Sequence, residues 1–415
     1  MRKGFLSQYF IGSAIKTLTA VEANSLVSNQ HEFNATSKMI EFFGRDNRKF
    51  PATLLYLTDA EDETIAAKSE LTWYDARRKQ AHRAAEYRLY FRTTPVSDAM
   101  HEEDSIVVAL RPNGEVLVVV ARQGSTSANQ LAWLFGTAGK SFNAKDYSTR
   151  DDTHLSFAGE QIVEAMGVLE IEQHIVPLEE ILQLFGGGYP PGRTFSEYAR
   201  SIVPADAVAD PDGALETWYR KEAALFQALE RHLVDEWIKS GIADAESFIE
   251  FARSVLNRRM SRAGNALEYH LEQIFRDNGL RFSMREITEG KSRPDFVFPH
   301  IDQYRNPDYS EKLLKMLAVK HSCKDRWRQI LVEAGRVDRK HLFTLEPAIS
   351  ADQTTEMRTH GVQLVLPQGI HGTYQPAQQA WLLNLAEFIE IISKDQKDLP
   401  PLAEPGRKVP RRRKA

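Results

Sequence analysis

The sequence predicts two domains, a mainly-β first half and an α/β second half built on a mixed central sheet. Three observations carry that expectation. The chain's 415 residues exceed what one hydrophobic core comfortably serves. Short aliphatic runs with hairpin punctuation fill the sequence before Gly159, whereas amphipathic helices alternate with short apolar runs after Leu215. Between them, Gly186-Gly187-Gly188-Tyr189-Pro190-Pro191-Gly192 sustains neither helix nor ladder. The expected division is a domain over 1–180, a linker over 181–198, a second domain over 199–396 and a basic tail over 397–415.

In the first half, strands are expected at Thr53–Leu57, Glu86–Phe91, Ser105–Leu110 and Glu115–Ala121. The last two flank Arg111-Pro112-Asn113-Gly114, a hairpin signal. Helical patterns follow at Gly159–Met166 and Leu178–Leu184. In the second half, Leu215, Trp218, Leu225, Leu229 and Leu233 share one helical face. A further helix is expected over Ala263–Asp277, ended by Asn278-Gly279. Strands are expected at Arg281–Ile287, Asp295–Phe298, Met316–Ser322, His341–Leu345 and Val362–Leu366, with helices at Asp325–Val337 and Ala377–Ser393.

Composition excludes several classes. A single cysteine, Cys323, leaves no internal disulfide and no Cys/His zinc cluster. No apolar run is long enough to span a bilayer, and the opening MRKGFLSQYF lacks a signal-peptide core, so a cytoplasmic location is expected. The 57 acidic residues slightly outnumber the 53 basic ones, for a net charge of −4. A nucleic-acid enzyme with this balance must concentrate its positive charge locally. Arg253, Arg258, Arg259 and Arg262 form one cluster; Arg77, Arg78, Lys79, Arg83 and Arg88 form a second; the tail Arg407–Lys414 forms a third.

Three features of the second half suit phosphodiester chemistry. Pro294-Asp295 opens a predicted strand, Lys320 ends another, and Glu333 lies about two turns into the helix that follows. Hydrolysis needs hard oxygen ligands to hold Mg²⁺ and a cation to orient or deprotonate the attacking water. Asp295, Glu333 and the Val319 carbonyl could serve as ligands, and Lys320 as the cation. Alone these words are weak, since Pro-Asp is often a turn and a strand-end lysine a solvated charge. The acid usual two residues before such a lysine is replaced by Ala318.

Longer words add to this. Asn257-Arg258-Arg259-Met260-Ser261-Arg262-Ala263-Gly264, Leu267-Glu268-Tyr269-His270-Leu271, Ile287-Thr288-Glu289-Gly290, Arg293-Pro294-Asp295-Phe296, Leu317-Ala318-Val319-Lys320, Cys323 to Leu331 and His341-Leu342-Phe343-Thr344-Leu345 occur in one order. Over roughly residues 186–395 they resemble the catalytic domain of the EcoRII-type (type IIE) restriction endonucleases, in the PD-(D/E)XK nuclease superfamily. The resemblance implies a restriction-endonuclease-like fold, Mg²⁺ as cofactor and the second acid moved to Glu333. It also places Tyr304 as an active-site tyrosine, equally readable as packing, and Glu268 as a helical glutamate near the metals.

For DNA reading, Lys324-Asp325-Arg326 would contact the C·G pairs of a CCWGG-like site (W is A or T). Arginine can donate twice to guanine, and a carboxylate accepts from cytosine N4. Arg328 is a further candidate contact. Arg258, Arg259 and Arg262 would hold phosphates, while Trp327 reads as core. A palindromic site implies a homodimer, and the system would include a cognate DNA methyltransferase. The resemblance further implies an N-terminal B3-like pseudobarrel that binds DNA and regulates cleavage. Its contacts would come from Ser28–Asn34, with His31 and Asn34 foremost, from Trp73–Lys79 with Arg77, Arg78 and Lys79, and from His82–Arg88 with Arg83 and Arg88. Turn capping and solvated charge are the plain alternatives. At the level of the whole chain, a catalytically silent DNA-binding regulator and a methylation-dependent nuclease stay open.

Overall fold

The computed structural model describes residues 6–23, 31–58, 64–80, 82–136, 157–165, 178–242 and 244–399. The expected contacts at Ser28–Gln30 and the basic tail lie outside the described residues.

The first half is one seven-stranded sheet: β1 (Gly12–Thr17), β2 (Glu32–Asn34), β3 (Arg48–Leu57), β4 (Ile65–Asp75), β5 (Tyr87–Tyr90), β6 (Ser105–Leu110) and β7 (Val116–Ala121). The order is β1-β6-β7-β3-β4-β5-β2, antiparallel throughout except for the parallel β3–β7 pair. The expected hairpin is β6–β7. Its turn is closed by Gly114 N donating to the Arg111 carbonyl, with Gly114 at φ +83°, a conformation that costs glycine little. Alternate residues of this hairpin go to opposite faces, as a period of two requires. Ile106, Val108, Val118 and Val120 join one apolar cluster, and Val107, Ala109, Leu117 and Val119 the other. Strand β4, absent from the sequence expectation, is exposed at alternate positions until Leu71 and Trp73 turn into the core. Its polar residues conceal the pattern.

Helix α1 (Thr126–Leu134) covers the second face of the sheet. Helix α2 (Phe157–Ala165) joins the halves: Ile162 and Val163 pack on the first, whereas Phe157 and Ala158 enter the core of the second. Thr126 accepts from Ser350 N at 3.1 Å, Gln130 donates to the Pro347 carbonyl at 3.0 Å, and Glu160 pairs with Arg220 at 2.7 Å.

The expected linker over 181–198 is corrected. It holds most of α3 (Leu178–Phe185) and the start of α4 (Gly192–Ile202), whose Ile181 and Phe195 are buried with Leu225, Phe226 and Leu229. The glycines and prolines break one helix from the next, but the flanking apolar side chains bind both to the second domain.

That domain begins with α5 (Pro211–Lys239) and α6 (Ala245–Asp277). Helix α6 starts 18 residues before the expected Ala263, because Asp244 caps it through Ser247 N at 2.7 Å. The sheet runs β12 (Val362–Val365), β11 (Lys340–Thr344), β10 (Lys315–Lys320), β9 (Phe296–Phe298), β8 (Ser283–Met284). The first three are parallel and the last three antiparallel, the mixed sheet expected. Phe275 of α6 packs edge-on to Phe296 and Phe298 at 5.2 and 5.4 Å.

Two expected helices differ. Residues 324–332 form a 3₁₀ segment, and Glu333 is extended at its end rather than helical. The Lys340 ammonium donates to the carbonyls of Glu333, Ala334 and Val337, and Ala334 beside Glu333 sits at φ +45°, a conformation an α-helix does not continue through. The expected helix Ala377–Ser393 is split into a short turn at Pro376–Gln379 and α8 (Leu385–Asp395), with α7 (Ala351–Thr359) before them. Gln363 draws the Trp381 carbonyl out of any helix, and Leu383 bridges to Val365. No helix among the described residues is long and apolar enough to cross a membrane.

Candidate active site

Strand pairing assembles the site. Strand β10 pairs with β9 so that Leu317 faces Phe296, and one more step along that register brings Asp295 to the buried Ala318. The Asp295 carboxylate accepts from Val319 N at 2.7 Å and lies 3.5 Å from the Lys320 ammonium. Beyond Lys320 the chain is held by Glu346, which accepts from Ser322 Oγ at 3.0 Å and Cys323 N at 2.7 Å.

Two further acids feel this pair. Glu268, buried on α6, accepts from Arg285 Nε at 2.8 Å. Burial raises its pKa, Arg285 opposes the rise, and the Asp295 charge adds to it. Glu333 is likewise raised by burial, lowered by Lys320 and raised again by Asp295. Its Oε2 is buried without a hydrogen-bond partner. A buried carboxylate oxygen left in that state is costly, and a hard cation would satisfy it. Among the described residues no three acidic, His or Cys side chains stand at metal-ligating spacing. Hard divalent cations commonly take one or two protein carboxylates and complete their shell with water and phosphate oxygens. The donors that fit are Asp295, Glu333 and the Val319 carbonyl.

Arg285 was not foreseen. Read as one residue of a strand, it instead sits at φ +53°, donating to Glu268 and, at 2.6 Å, to Asn265, while its N–H meets the Asp295 carbonyl at 3.0 Å. Nothing in the local sequence distinguishes it. Tyr304 has other partners than the Asp295–Lys320 pair: its buried hydroxyl donates to Glu289 and accepts from Arg336 N at 3.2 Å. Burial and the Glu289 bond push its pKa upward.

The expected DNA contacts divide sharply. Arg258 lies over the Tyr189 ring at 4.2 Å and Arg262 over Phe226 at 5.0 Å. Arg262 Nε and Nη1 are buried without hydrogen-bond partners. Both residues line a cavity of about 360 Å³ with Tyr189, Phe195, Phe226 and Asn265. Arg259, by contrast, is paired with Glu230. Arg328 is gripped by both oxygens of Glu356, at 3.2 and 2.8 Å. Trp327 is fully buried, as expected. Arg326 is exposed, and the side chains of Lys324 and Asp325 lie outside the described residues.

In the first half, Arg77 pairs with Glu86, and the two ion pairs of Arg88, with Glu86 and with Glu32, are both 2.7 Å long. Tyr74 also donates to Glu32. With Arg83 these groups line a polar cavity of about 490 Å³. Arg78, Lys79 and Arg83 are exposed. His31 and Asn34 belong to the β2 edge rather than a turn: His31 packs edge-on to Phe91, and Asn34 N donates to Glu22 at 2.7 Å.

With the sheet and these acids in place, the comparisons say what the chain is similar to. Residues 226–389 match the family model described as EcoRII C terminal. Within 213 residues it is 42% identical to the Type II restriction enzyme EcoRII of Escherichia coli. The match takes in 51% of this chain and 52% of the relative, so the chain spans about half the length of that curated protein. Solved structures of lower similarity include metal-depleted Ecl18kI in complex with uncleaved DNA (14% identity, TM-score 0.45, 55% of this chain and 84% of that one). The PspGI–substrate DNA complex is another (15% identity, TM-score 0.42, 50% and 93%).

Proposed function

We propose that this chain is a type II restriction endonuclease, a site-specific deoxyribonuclease that hydrolyses double-stranded DNA with Mg²⁺. The observation that carries the proposal is the meeting of Asp295, Lys320, Glu268 and Glu333, whose Oε2 is unpartnered, in the region that matches the EcoRII C-terminal model. Asp295, Glu333 and the Val319 carbonyl would hold the metal. When bound, Mg²⁺ supplies positive charge against the scissile phosphate. Lys320 orients the attacking water and stabilises negative charge gathering on the phosphate. Glu268, fixed by Arg285, keeps a second carboxylate beside the same centre. Tyr304 positions the Glu289–Arg336 corner instead of touching the reacting atoms.

Lys324, Asp325 and Arg326 read C·G pairs of a CCWGG-like palindrome, cut by a homodimer with one strand to each subunit. Arg258 and Arg262 meet phosphates. The seven-stranded sheet is the B3-like module, binding further DNA through its His31–Asn34 edge and the Arg77–Arg88 region and regulating cleavage. The cell would carry a cognate methyltransferase. The test is digestion of a sequenced plasmid with and without Mg²⁺, followed by sequencing of the fragment ends. Ends at one recurrent CC…GG motif are expected. Binding without Mg²⁺-dependent cutting would replace this reading by a silent regulator, and cutting confined to DNA from a methylating host by a methylation-dependent nuclease.

A further inference from the structure

The first four turns of α6 form an arm. Between Ala245 and Arg259 none of its residues is fully buried, and it leans on the last turns of α5, where Trp237 stacks on Phe251 at 3.9 Å. A different side of the arm is apolar and largely exposed, with Ala252 half-buried. Ala245, Ile249, Ala252 and Leu256 recur at spacings of four, three and four, the alternation of a coiled-coil seam. Phe251 lies roughly a third of a turn away from that seam, so contact with α5 leaves it open. Ile249 and Leu256 are 53% and 55% exposed, and Phe248 beside them is 48% exposed. Five of the 13 exposed large hydrophobics among the described residues lie in this one hairpin: Ile238, Ile242, Phe248, Ile249 and Leu256. The seam stops at Arg259, which is ion-paired to Glu230 of α5.

The flanks of the seam identify its occupant. Glu246 and Arg253, both exposed, are one heptad apart at the same flanking position, and they are opposite in charge. Two copies of α6 crossing antiparallel about a two-fold axis near Glu250–Phe251 put Ile249 against Ala252 and Ala245 against Leu256. Equivalent flanks then face each other, so each Glu246 meets the other copy's Arg253. A seam complementary to its own reverse is what a two-fold contact requires, whereas an unrelated partner would require no such match.

We infer that the α5–α6 arm is a self-association surface through which a second copy of this chain docks antiparallel. This contact differs from the one that places two nuclease sites on one palindrome. The two Glu268 residues would be separated along the paired helices by about 35 residues, or roughly 50 Å at 1.5 Å per residue. A five-base-pair site spans only about 17 Å. The arm therefore joins copies engaged on separate stretches of DNA.

Sedimentation velocity of the full-length protein, without DNA or metal, tests the contact independently of any nuclease activity. Ile249→Asp with Leu256→Asp should remove one association step, weakening it at least ~100-fold, while circular dichroism stays unchanged because both side chains are exposed. Glu246→Arg alone, or Arg253→Glu alone, should weaken that step about tenfold, since two attractive pairs become repulsive. The double exchange should restore it. An unchanged association profile in the apolar variant would overturn the inference. So would a double exchange no better than either single variant, or a wild-type chain monomeric at every concentration. Loss of DNA binding with unchanged mass would make the arm a DNA contact instead.

Discussion

Both halves of the molecule are rich in arginine, but the two populations are in different chemical states. In the first half, Arg77 and Arg88 are held by Glu86, just before β5, and Arg88 also by Glu32 of β2. In the second half, Arg258 and Arg262 lie over aromatic rings, and two Arg262 nitrogens have no hydrogen-bond partner. A guanidinium already paired with a carboxylate must exchange that partner for a phosphate, so much of its attraction is spent within the protein. One stacked on a ring has not committed its N–H groups to a carboxylate, although burial of the Arg262 nitrogens leaves them facing a cavity rather than solvent. Clustered positive charge in a sequence is therefore not the same quantity as uncommitted positive charge in the fold.

The largest expected effect concerns which half performs chemistry. Lys320→Ala should lower single-turnover cleavage of a short cognate duplex at least ~100-fold, with binding retained when Ca²⁺ replaces Mg²⁺. Arg88→Ala should leave the same single-turnover rate within about twofold, a difference of roughly 0.4 kcal/mol in barrier. Its cost should appear in unfolding, because Glu32 and Glu86 lose a shared partner. Equal losses of rate in the two variants would end the division of labour drawn here.

A smaller effect separates the two arginine populations. Arg262→Ala should weaken binding to every duplex and lower the salt-dependence slope by about one, whereas Arg77→Ala should change that slope less. Fluorescence anisotropy at several salt concentrations measures both. A steeper change for Arg77 would show that its ion pair opens readily on DNA.

The smallest effect concerns the acid pair around Lys320. Burial raises the folded pKa of Glu333 above its unfolded value, so the contribution of this group to stability is fully present below the unfolded pKa and is lost as pH rises through the folded one. Glu333→Gln cannot ionise. In metal-free protein it should be more stable than wild type at pH 8, by at most ~1 kcal/mol after allowance for partial exposure. The difference should shrink as pH falls toward the ordinary carboxylate range. Chemical denaturation at two pH values checks it, and a difference that grew in acid would reverse the assignment.

The sequence by itself determined the β6–β7 hairpin and the strands that carry the candidate site, and it named Asp295, Lys320 and Glu333 as candidates. Each of these rests on local information, such as a period of two, a turn word or an acid at the edge of an apolar run. It did not determine β4, whose solvated face hides its alternation, or the fate of the glycine- and proline-rich stretch, whose neighbours are anchored by Leu225, Phe226 and Leu229. Nor did it reveal Arg285 as the clamp on Glu268, or Lys340 as the donor to the Glu333 carbonyl. Those outcomes depend on which charged groups meet across tens or hundreds of residues. Burial then sets their value, because a pair that matters little in water becomes decisive where no solvent can replace either partner.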